Sequence, residues 1–348
     1  MPCVAVRSSD ARVALIGYGL AGGALHAPLI AAVPGLELAA VVTRDEERRA
    51  SVRAAHPGAE LLASADEVWG RGYDLAVVAA PNRAHVPLAR AAIAAGLPVV
   101  VDKPLAPDAR SARELVGEAR ERGVMLTVFQ NRRWDGDFLT ARRLIESGEL
   151  GRVLRFESRF ERWRPKVKEG WRELPGADEA GGVLFDLGSH LVDQALQLFG
   201  PVRELHAEVD VRRPGARVDD DSFLALEHES GVRSHLWMSA VAADLGPRLR
   251  VLGDRASYVK HGLDVQEAAL RAGGDPSAPG WGDEPEAGWG RVGAGEEFRP
   301  VRTEPGAYAR FYEGVARALA EGGPPPVDPA DAVAVLELLG AARLRLRG

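Results

Sequence analysis

The chain has 348 residues, of which 46% are hydrophobic and 27% are charged, and its formal net charge is −6. A chain of this length is expected to fold into two domains rather than one. The net negative charge gives no electrostatic basis for binding nucleic acid or an anionic membrane surface. No apolar run approaches the ~20 residues of a membrane-spanning helix, and the start of the chain lacks the pattern of a signal peptide. We therefore expect a soluble, cytoplasmic protein.

Several kinds of site are excluded by residue counts and spacing. Cys3 is the only cysteine, so an intramolecular disulfide and a cysteine-based zinc site are excluded. The histidines show no His-Glu-x-x-His or comparable spacing, so we expect no metal site. The sequence also lacks the Gly-x-Ser-x-Gly elbow of a serine hydrolase.

A glycine-rich turn follows the first predicted strand, which ends at Ile16, and an Ala-rich helix over residues 24–32 comes after it. In a dinucleotide site of this form, Gly17 permits the tight turn, Gly19 lets the backbone approach a pyrophosphate, and Gly22 lets the helix pack closely on the strand. The N-terminus of the helix offers unpaired N–H groups to the phosphates. The predicted phosphate-binding residues are Gly17, Tyr18, Gly19, Leu20, Ala21 and Gly22.

The end of the second predicted strand, residues 36–44, bears on the choice of cofactor. An acidic residue ~20 positions beyond the glycines normally binds the ribose of NAD. Here Thr43 and Arg44 occupy this place, and an arginine can make bidentate, charge-assisted hydrogen bonds to a 2′-phosphate. The pair favours NADP. Alternatively, Arg44 is a surface residue and Asp45 binds the ribose of NAD.

Three more strands alternate with helices, which predicts βαβ units and a parallel sheet. The strand at 73–80 ends in Pro81 and Asn82, and these residues with His85 either approach the cofactor or serve the turn. The strand at 97–101 is followed by Asp102 and Lys103. The next residue is a proline, which cannot continue a central strand and therefore leaves Lys103 at the ligand-facing edge. With a fifth strand at 125–129, residues 1–131 are predicted to form a doubly wound, dinucleotide-binding Rossmann domain of an α/β protein.

Residues 132–348 are predicted to form a second, α+β domain for substrate binding and oligomerisation, with a mostly antiparallel open sheet. Strand candidates lie after residue 152 and at 202–209, 222–228, 232–241 and 248–259. The Gly- and Pro-rich segment 272–299 is expected to be a loop. Helices at 308–321 and 329–346 close the chain, and the last could pack back on the first domain.

Asp186 and His190 are four residues apart on a predicted helix, so their side chains would share one face. There His190 could accept a proton, Asp186 could orient the imidazole, and Asp193 could support it from the next turn. Lys103 could stabilise negative charge that develops on a substrate hydroxyl. A structural alternative remains for each: a helix-stabilising Asp–His pair and a surface lysine. Similarly, Trp134, Trp163 and Trp171 could line a sugar site or pack in the core.

The chain resembles the glucose–fructose oxidoreductase / inositol dehydrogenase (Gfo/Idh/MocA) family. The resemblance rests on three ordered motifs: the glycine turn at 17–22, Asp102-Lys103-Pro104, and Gly181-Gly182-x-x-x-Asp186-x-x-x-His190. Further matches look like the branch that contains NADP-dependent scyllo-inositol dehydrogenase: Asn131-Arg132-Arg133-Trp134-Asp135, Arg164-Pro165, Trp171-Arg172-Glu173, residues 258–264 and Trp281-Gly282. Two positions depart from the pattern, since Asp102 replaces a glutamate and Gln130 replaces a histidine in the expected substrate cleft.

The resemblance implies an NADP-dependent dehydrogenase, with NAD as the other possibility, that reversibly oxidises a secondary hydroxyl of a cyclic polyol or sugar. It implies catalytic roles for Lys103, Asp186 and His190, contacts of Asp102, Lys103, Asn131 and Arg132 with the cofactor, and a homodimer or homotetramer. The same chemistry on an aldose, a sugar phosphate or a diol is one alternative. A non-catalytic regulator that binds NADP or a sugar is another.

Overall fold

The computed structural model describes residues 10–167 and 180–347. The chain forms two compact units, each assembled from separate stretches of sequence. The first comprises Met1–Asn131, Gln266–Trp281 and Tyr308–Val333, and the second comprises Arg132–Val265, Gly282–Ala307 and Ala334–Gly348.

The first unit contains a six-stranded sheet with helices packed on it. Its strands are β1 (Ala11–Ile16), β2 (Leu36–Val42), β3 (Glu60–Leu62), β4 (Leu75–Val78), β5 (Val99–Asp102) and β6 (Leu126–Phe129). The helices between them are α1 (Ala27–Ala32), α2 (Glu46–Ala55), α3 (His85–Ala94) and α4 (Ala109–Arg122). The caps of α4 are local: the side chain of Asp108 accepts a hydrogen bond from the Ser111 N–H at its start, and Gly123, with φ 64°, ends it.

The strand order is β3-β2-β1-β4-β5-β6, and every pairing is parallel. The order reverses between β1 and β4, and sheets of this type bind ligands at such a point, outside the carboxyl ends of the strands. Residues 13–16 of β1 are at most 4% exposed, as expected for a parallel strand covered on both faces. The predicted Rossmann fold is confirmed.

The second unit contains a nine-stranded sheet in the order β14-β13-β12-β11-β7-β10-β9-β8-β15. Its strands are β7 (Val153–Glu161), β8 (Val202–Asp210), β9 (Asp221–His228), β10 (Arg233–Ser239), β11 (Leu249–Gly253), β12 (Ser257–Lys260), β13 (Gly290–Ala294), β14 (Glu297–Val301) and β15 (Leu346–Arg347). The pairings of β7 with β10 and of β8 with β15 are parallel and the others are antiparallel. The predicted mostly antiparallel sheet is confirmed.

The helices of the second unit pack on one face of this sheet, where α7 lies against β7 and β10. They are α5 (Gly136–Glu146), α6 (Val183–Asp186) and α7 (Gly188–Phe199). Later in the chain, α8 (Gln266–Arg271) and α9 (Ala309–Glu321) belong to the first unit, and α10 (Pro329–Arg343) includes residues of both. No helix in the described part of the chain is long and apolar enough to span a membrane.

The sequence predictions for residues 248–259 and 272–299 were wrong. The single strand expected at 248–259 is a hairpin of β11 and β12, closed by a bond from the Gly253 N–H to the Ala256 carbonyl. The expected loop at 272–299 holds β13 and the start of β14, which extend the sheet at one edge. Its glycines suggested a loop, but a Cβ at Gly293, within β13, would lie 1.9 Å from the Glu297 carbonyl oxygen, so this position of the strand needs a residue without a side chain.

Candidate active site

The glycine turn joins β1 to a wide helical turn, Gly22–His26, that leads into α1. Two of its glycines are required by the protein's own packing. Gly17 has φ +101°, and a Cβ there would lie 2.5 Å from the Ala79 carbonyl oxygen. A Cβ at Gly22 would lie 2.1 Å from the Gly17 carbonyl oxygen. The tight turn and the close approach of helix and strand therefore require glycine at these two positions.

Gly19 differs from these two glycines because a Cβ there would meet no atom of the described residues within 4 Å. Its missing side chain leaves open space beside the backbone, next to the exposed Leu20. Tyr18, by contrast, is only 9% exposed, and its ring packs edge-on against His56. The turn therefore fits a phosphate group that approaches the backbone at Gly19, as a dinucleotide would require.

We expect Gly19→Ala to weaken binding of a dinucleotide such as NADP about tenfold, since a methyl group would occupy the space expected for the pyrophosphate. Thermal stability should change little, because the methyl group would contact no atom of the described residues. Gly22→Ala is the matched variant, and it should lower the melting temperature instead. Titration of intrinsic fluorescence with NADP and thermal unfolding check the pair. Equal loss of stability in both variants would contradict this assignment of Gly19.

The end of β2 carries the residues that bear on the choice between NADP and NAD. Thr43 is buried and Arg44 is exposed, with the Arg44 Nε donating to the Ala63 carbonyl at 2.9 Å. The Asp45 carboxylate accepts a hydrogen bond of 3.0 Å from the Arg48 N–H and caps α2. Sequence reasoning did not predict α2, so it missed the cap. This bond gives Asp45 a structural role that does not depend on a ribose.

The ends of β4 and β5 are connected through His85. Pro81 and the buried Asn82 lead into α3, whose first residue, His85, is 1% exposed. Its Nδ1 lies 2.7 Å from the Pro104 carbonyl oxygen and its Nε2 lies 2.9 Å from the Ala80 carbonyl oxygen. The ring therefore links the turn after β4 to the turn that carries Lys103.

Asp102 ends β5, and its Oδ1 accepts a hydrogen bond of 2.8 Å from the backbone N–H of Lys103. Burial alone would raise the pKa of Asp102, but His26, Lys103 and His85 outweigh burial and lower it. The carboxylate is therefore held in its charged form. Since β5 ends here, as the proline in the sequence predicted, Lys103 stands at the carboxyl edge of the sheet.

The segment after β6 is buried. Gln130 is 3% and Asn131 is 5% exposed. Arg132, the first residue of the second unit, lies 3.2 Å from Asp135 through its Nη1, and its guanidinium stacks over Phe160. Its carbonyl accepts a hydrogen bond from Gln194 of α7.

The Gly181-Gly182 pair precedes α6, and the structure shows why its second position is a glycine. Gly182 has φ +93°, and a Cβ there would lie 2.0 Å from Oδ1 of Asp219. The other Asp219 oxygen accepts a hydrogen bond of 2.7 Å from the Leu184 N–H in the first turn of α6. Burial raises the pKa of Asp219 to about 6, against the opposing hydrogen bonds from Leu184 and Ser222. Sequence reasoning missed Asp219 because it lies in the loop before β9, remote from the motif in the chain.

The expectation that Asp186 and His190 share one uninterrupted helix was wrong. Asp186 is the last residue of α6 and His190 lies in the first turn of α7, with Leu187 between the two helices. The Leu187 carbonyl accepts bonds from the N–H groups of His190 and Leu191. Asp186 is half-buried and His190 is 5% exposed.

A buried polar network holds α7 one turn beyond His190. Both oxygens of Asp193 accept hydrogen bonds from Arg133, at 2.8 and 2.6 Å. The Gln194 oxygen accepts from Arg248, whose guanidinium also lies 3.3 Å from Asp137. Sequence reasoning singled out Asp193 but not Arg248 or Asp137, because nothing local marks them as partners. The network fixes the helix that carries His190 to α5 and β11.

The predicted tryptophans differ in exposure. Trp134 is half-buried, and its carbonyl accepts a hydrogen bond from the Ala307 N–H. Trp163 is 57% exposed at the end of β7, where it bridges to Val241. Trp171 lies outside the described residues. Within the described ranges, no group of three or more His, Cys, Asp or Glu side chains could hold a metal ion.

Both parts of the chain match family models. Residues 11–130 match the model "Oxidoreductase family, NAD-binding Rossmann fold" and residues 138–259 match the GFO/IDH/MocA C-terminal domain. Uncharacterized oxidoreductase YdgJ of Escherichia coli is 41% identical over 95% of this chain and 95% of its own. The scyllo-inositol 2-dehydrogenase (NADP(+)) IolW of Bacillus subtilis is 33% identical, covering 95% of this chain and 92% of its own. A solved structure of yvaA from Bacillus subtilis superposes with a TM-score of 0.91 at 32% identity, covering 97% of each chain.

These matches confirm the family resemblance that the three motifs predicted. They extend over both units, and they include proteins named as oxidoreductases and as a dehydrogenase. The chain therefore belongs to the Gfo/Idh/MocA family of oxidoreductases.

Proposed function

We propose that this oxidoreductase uses NADP to oxidise a secondary hydroxyl of a cyclic polyol or sugar, reversibly, with a scyllo-inositol-like substrate. The observation that carries the proposal is the position of Lys103 directly after β5, at the carboxyl edge of the sheet whose first turn fits a dinucleotide. The name of the relative IolW, an NADP-dependent scyllo-inositol dehydrogenase, supports both the substrate class and the cofactor.

In this proposal the residues at the carboxyl ends of the strands hold the cofactor, with phosphates at 17–22 and the ribose phosphate at Thr43 and Arg44. The cofactor set is completed by Pro81, Asn82, His85, Asp102, Lys103, Asn131 and Arg132. The nicotinamide, when bound, supplies the hydride acceptor. The cap formed by Asp45 supports NADP over NAD indirectly. Its carboxylate, the alternative ligand for the ribose of NAD, already accepts a hydrogen bond at the start of α2.

The protein's own groups handle the proton and the charge on the substrate oxygen. The Lys103 ammonium binds the hydroxyl and stabilises negative charge that develops on its oxygen. His190 accepts the hydroxyl proton, and Asp186 orients the imidazole. Lys103 in its neutral form is the other group that could accept the proton. Gln130, Trp134, Trp163 and Trp171 are the proposed substrate contacts.

Arg44→Ala should reduce the preference for NADP over NAD by about 10- to 100-fold, since it removes the charge that pairs with the 2′-phosphate. Steady-state kinetics with each cofactor provide the measurement, and the ratio of the two kcat/KM values is the readout. Arg48→Ala, which removes an exposed arginine of α2, is the comparison variant. A wild-type enzyme that prefers NAD would show that the assignment of Thr43 and Arg44 is wrong.

The assembly is proposed to be a homodimer or homotetramer of cytoplasmic chains. The sheet face opposite α7 supports this, because Phe223, Trp237 and His235 are only half-buried there and Arg159 stacks on Trp237. Size-exclusion chromatography with light scattering would measure the number of subunits.

The proposed activity is tested by following NADPH absorbance with a panel of inositols and aldoses, with NAD in parallel. Turnover of scyllo-inositol or a near relative with NADP supports the proposal. Turnover of aldoses alone would support the proposed hydroxyl oxidation but contradict the proposed scyllo-inositol-like substrate. Binding of NADP without turnover of any substrate, even at high enzyme concentration, would favour a non-catalytic binding protein.

A further inference from the structure

A buried histidine of the first unit, His26, lies behind the turn that carries Lys103 and is not used by the proposed reaction. It is the last residue of the π-helical turn Gly22–His26, and it is 0% exposed. Such wide turns in helices occur frequently at functional sites. Phe129 packs against the imidazole with its ring centroid 4.3 Å away. A polar ring in such apolar surroundings needs hydrogen-bond partners on both nitrogens.

The first partner is Tyr312 of α9, whose hydroxyl lies 2.6 Å from Nδ1 of His26. Burial, together with the charge of Asp102, raises the pKa of Tyr312 well above its ordinary value. The phenol therefore keeps its proton and donates a hydrogen bond to Nδ1. In a neutral imidazole this places the ring proton on Nε2.

The second nitrogen faces Asp102. Nε2 of His26 lies 3.9 Å from Oδ1 of Asp102, and it makes no hydrogen bond within the described residues. The same Oδ1 accepts the backbone N–H of Lys103. The titratable groups around this carboxylate are His26, Lys103 and His85, with Tyr312 behind His26. A shift of about 1 Å would bring Nε2–H within hydrogen-bond distance of the carboxylate.

We propose that His26 is a positioning residue for Lys103: it orients the Asp102 carboxylate, which in turn holds the backbone of Lys103. The chain of contacts is Tyr312 hydroxyl to Nδ1, Nε2–H to Asp102, and Asp102 to the Lys103 amide. Hydrogen bonds at catalytic sites often shorten only when the substrate complex forms, which is consistent with the 3.9 Å separation. This inference rests on the proposed role of Lys103 in the reaction.

The first test needs no cofactor or substrate. Nitrogen NMR of the unliganded protein, labelled at its imidazole nitrogens, reports which nitrogen of His26 carries the proton, and the His26→Gln variant assigns the resonances. We expect the Nε2–H form, with a change in the Nδ1 resonance in Tyr312→Phe. A ring protonated on Nδ1 alone would overturn the proposal, because Nε2 would then have no proton to donate to Asp102.

The second test separates the two nitrogens by substitution. His26→Asn can place an oxygen near the Nδ1 position but removes the donor toward Asp102, whereas the amide of His26→Gln reaches the Nε2 position. We expect kcat to fall about 10- to 100-fold in His26→Asn and to stay within about fivefold of wild type in His26→Gln. The KM and the dissociation constant for NADP should be unchanged in both.

Equal kcat values in the two variants would overturn the proposal, whether both match wild type or both fall alike. If either variant fails to fold, the tautomer of the wild-type ring and the effect of Tyr312→Phe on kcat decide the matter. A wild-type protein that oxidises no substrate in the panel would defeat the proposed function, and the NMR result would still decide whether His26 donates toward Asp102.

Discussion

Lys103→Ala and His190→Ala are each expected to lower kcat for polyol oxidation by about 100- to 10,000-fold, the range for loss of a general acid–base or charge-stabilising group. Lys103 follows β5 at the edge of the sheet, and His190 lies in the first turn of α7. Both variants should still bind NADP, since the proposed phosphate site is the glycine turn. The loss should therefore appear in the chemical step.

Single-turnover kinetics with NADP and the substrate, beside fluorescence titration of NADP, measure these effects. His206→Ala is the control for removing a histidine, because His206 is exposed on β8 of the second unit. Activity within about threefold of wild type in either Lys103→Ala or His190→Ala would contradict the role given to that residue. The double variant should lose little more than the weaker single variant if the two groups act as a unit.

Asp219→Asn is expected to remove a pH dependence of about 3 kcal/mol from the free energy of unfolding. Burial raises the pKa of Asp219 from its ordinary value of 3.8 to about 6, so the folded protein binds this proton more tightly than the unfolded chain does. The stabilisation is therefore complete below pH 3.8 and is lost as the pH rises through about 6. Asparagine, which does not ionise, can still accept the bond from the Leu184 N–H.

Denaturant unfolding of the wild type and Asp219→Asn, measured at intervals between about pH 4 and about pH 7, tests this expectation. The difference between the two proteins is the readout, since the contributions of other ionisable groups cancel in it. Asp219→Asn should gain stability relative to wild type across this window. Parallel curves for the two proteins would show that the folded state does not hold the proton on Asp219.

The parts of the fold that the sequence predicted well are those built from local signals. One continuous pattern begins at Arg12 and predicts a strand, a glycine turn and a helix. The structure has β1 and the wide turn Gly22–His26 in this stretch. The end of β5 was also predictable, because a proline cannot extend a central strand. By contrast, short elements with mixed composition were missed, such as β13 and the three-residue strand β3.

The residues of the candidate site also separate into those that local sequence signals predict and those that they do not. Lys103, Asp186 and His190 are proposed from motif spacing, whereas several contacts of the elements that carry them join residues far apart in the chain. Asp219 lies 35 residues from Leu184, and Tyr312 lies 286 residues from His26. No periodicity or spacing connects such pairs.

The sequence alone therefore determined the fold class, the position of the glycine turn and the family, because backbone turns and hydrophobic periods are properties of neighbouring residues. Only the tertiary structure decided which buried polar groups pair with which. Each such group must find a hydrogen-bond partner once water is excluded, and packing of distant segments supplies it. Asp45 is an example: its position in the sequence was compatible with binding a ribose, and the structure shows that it caps α2 by accepting a hydrogen bond from Arg48, three residues later.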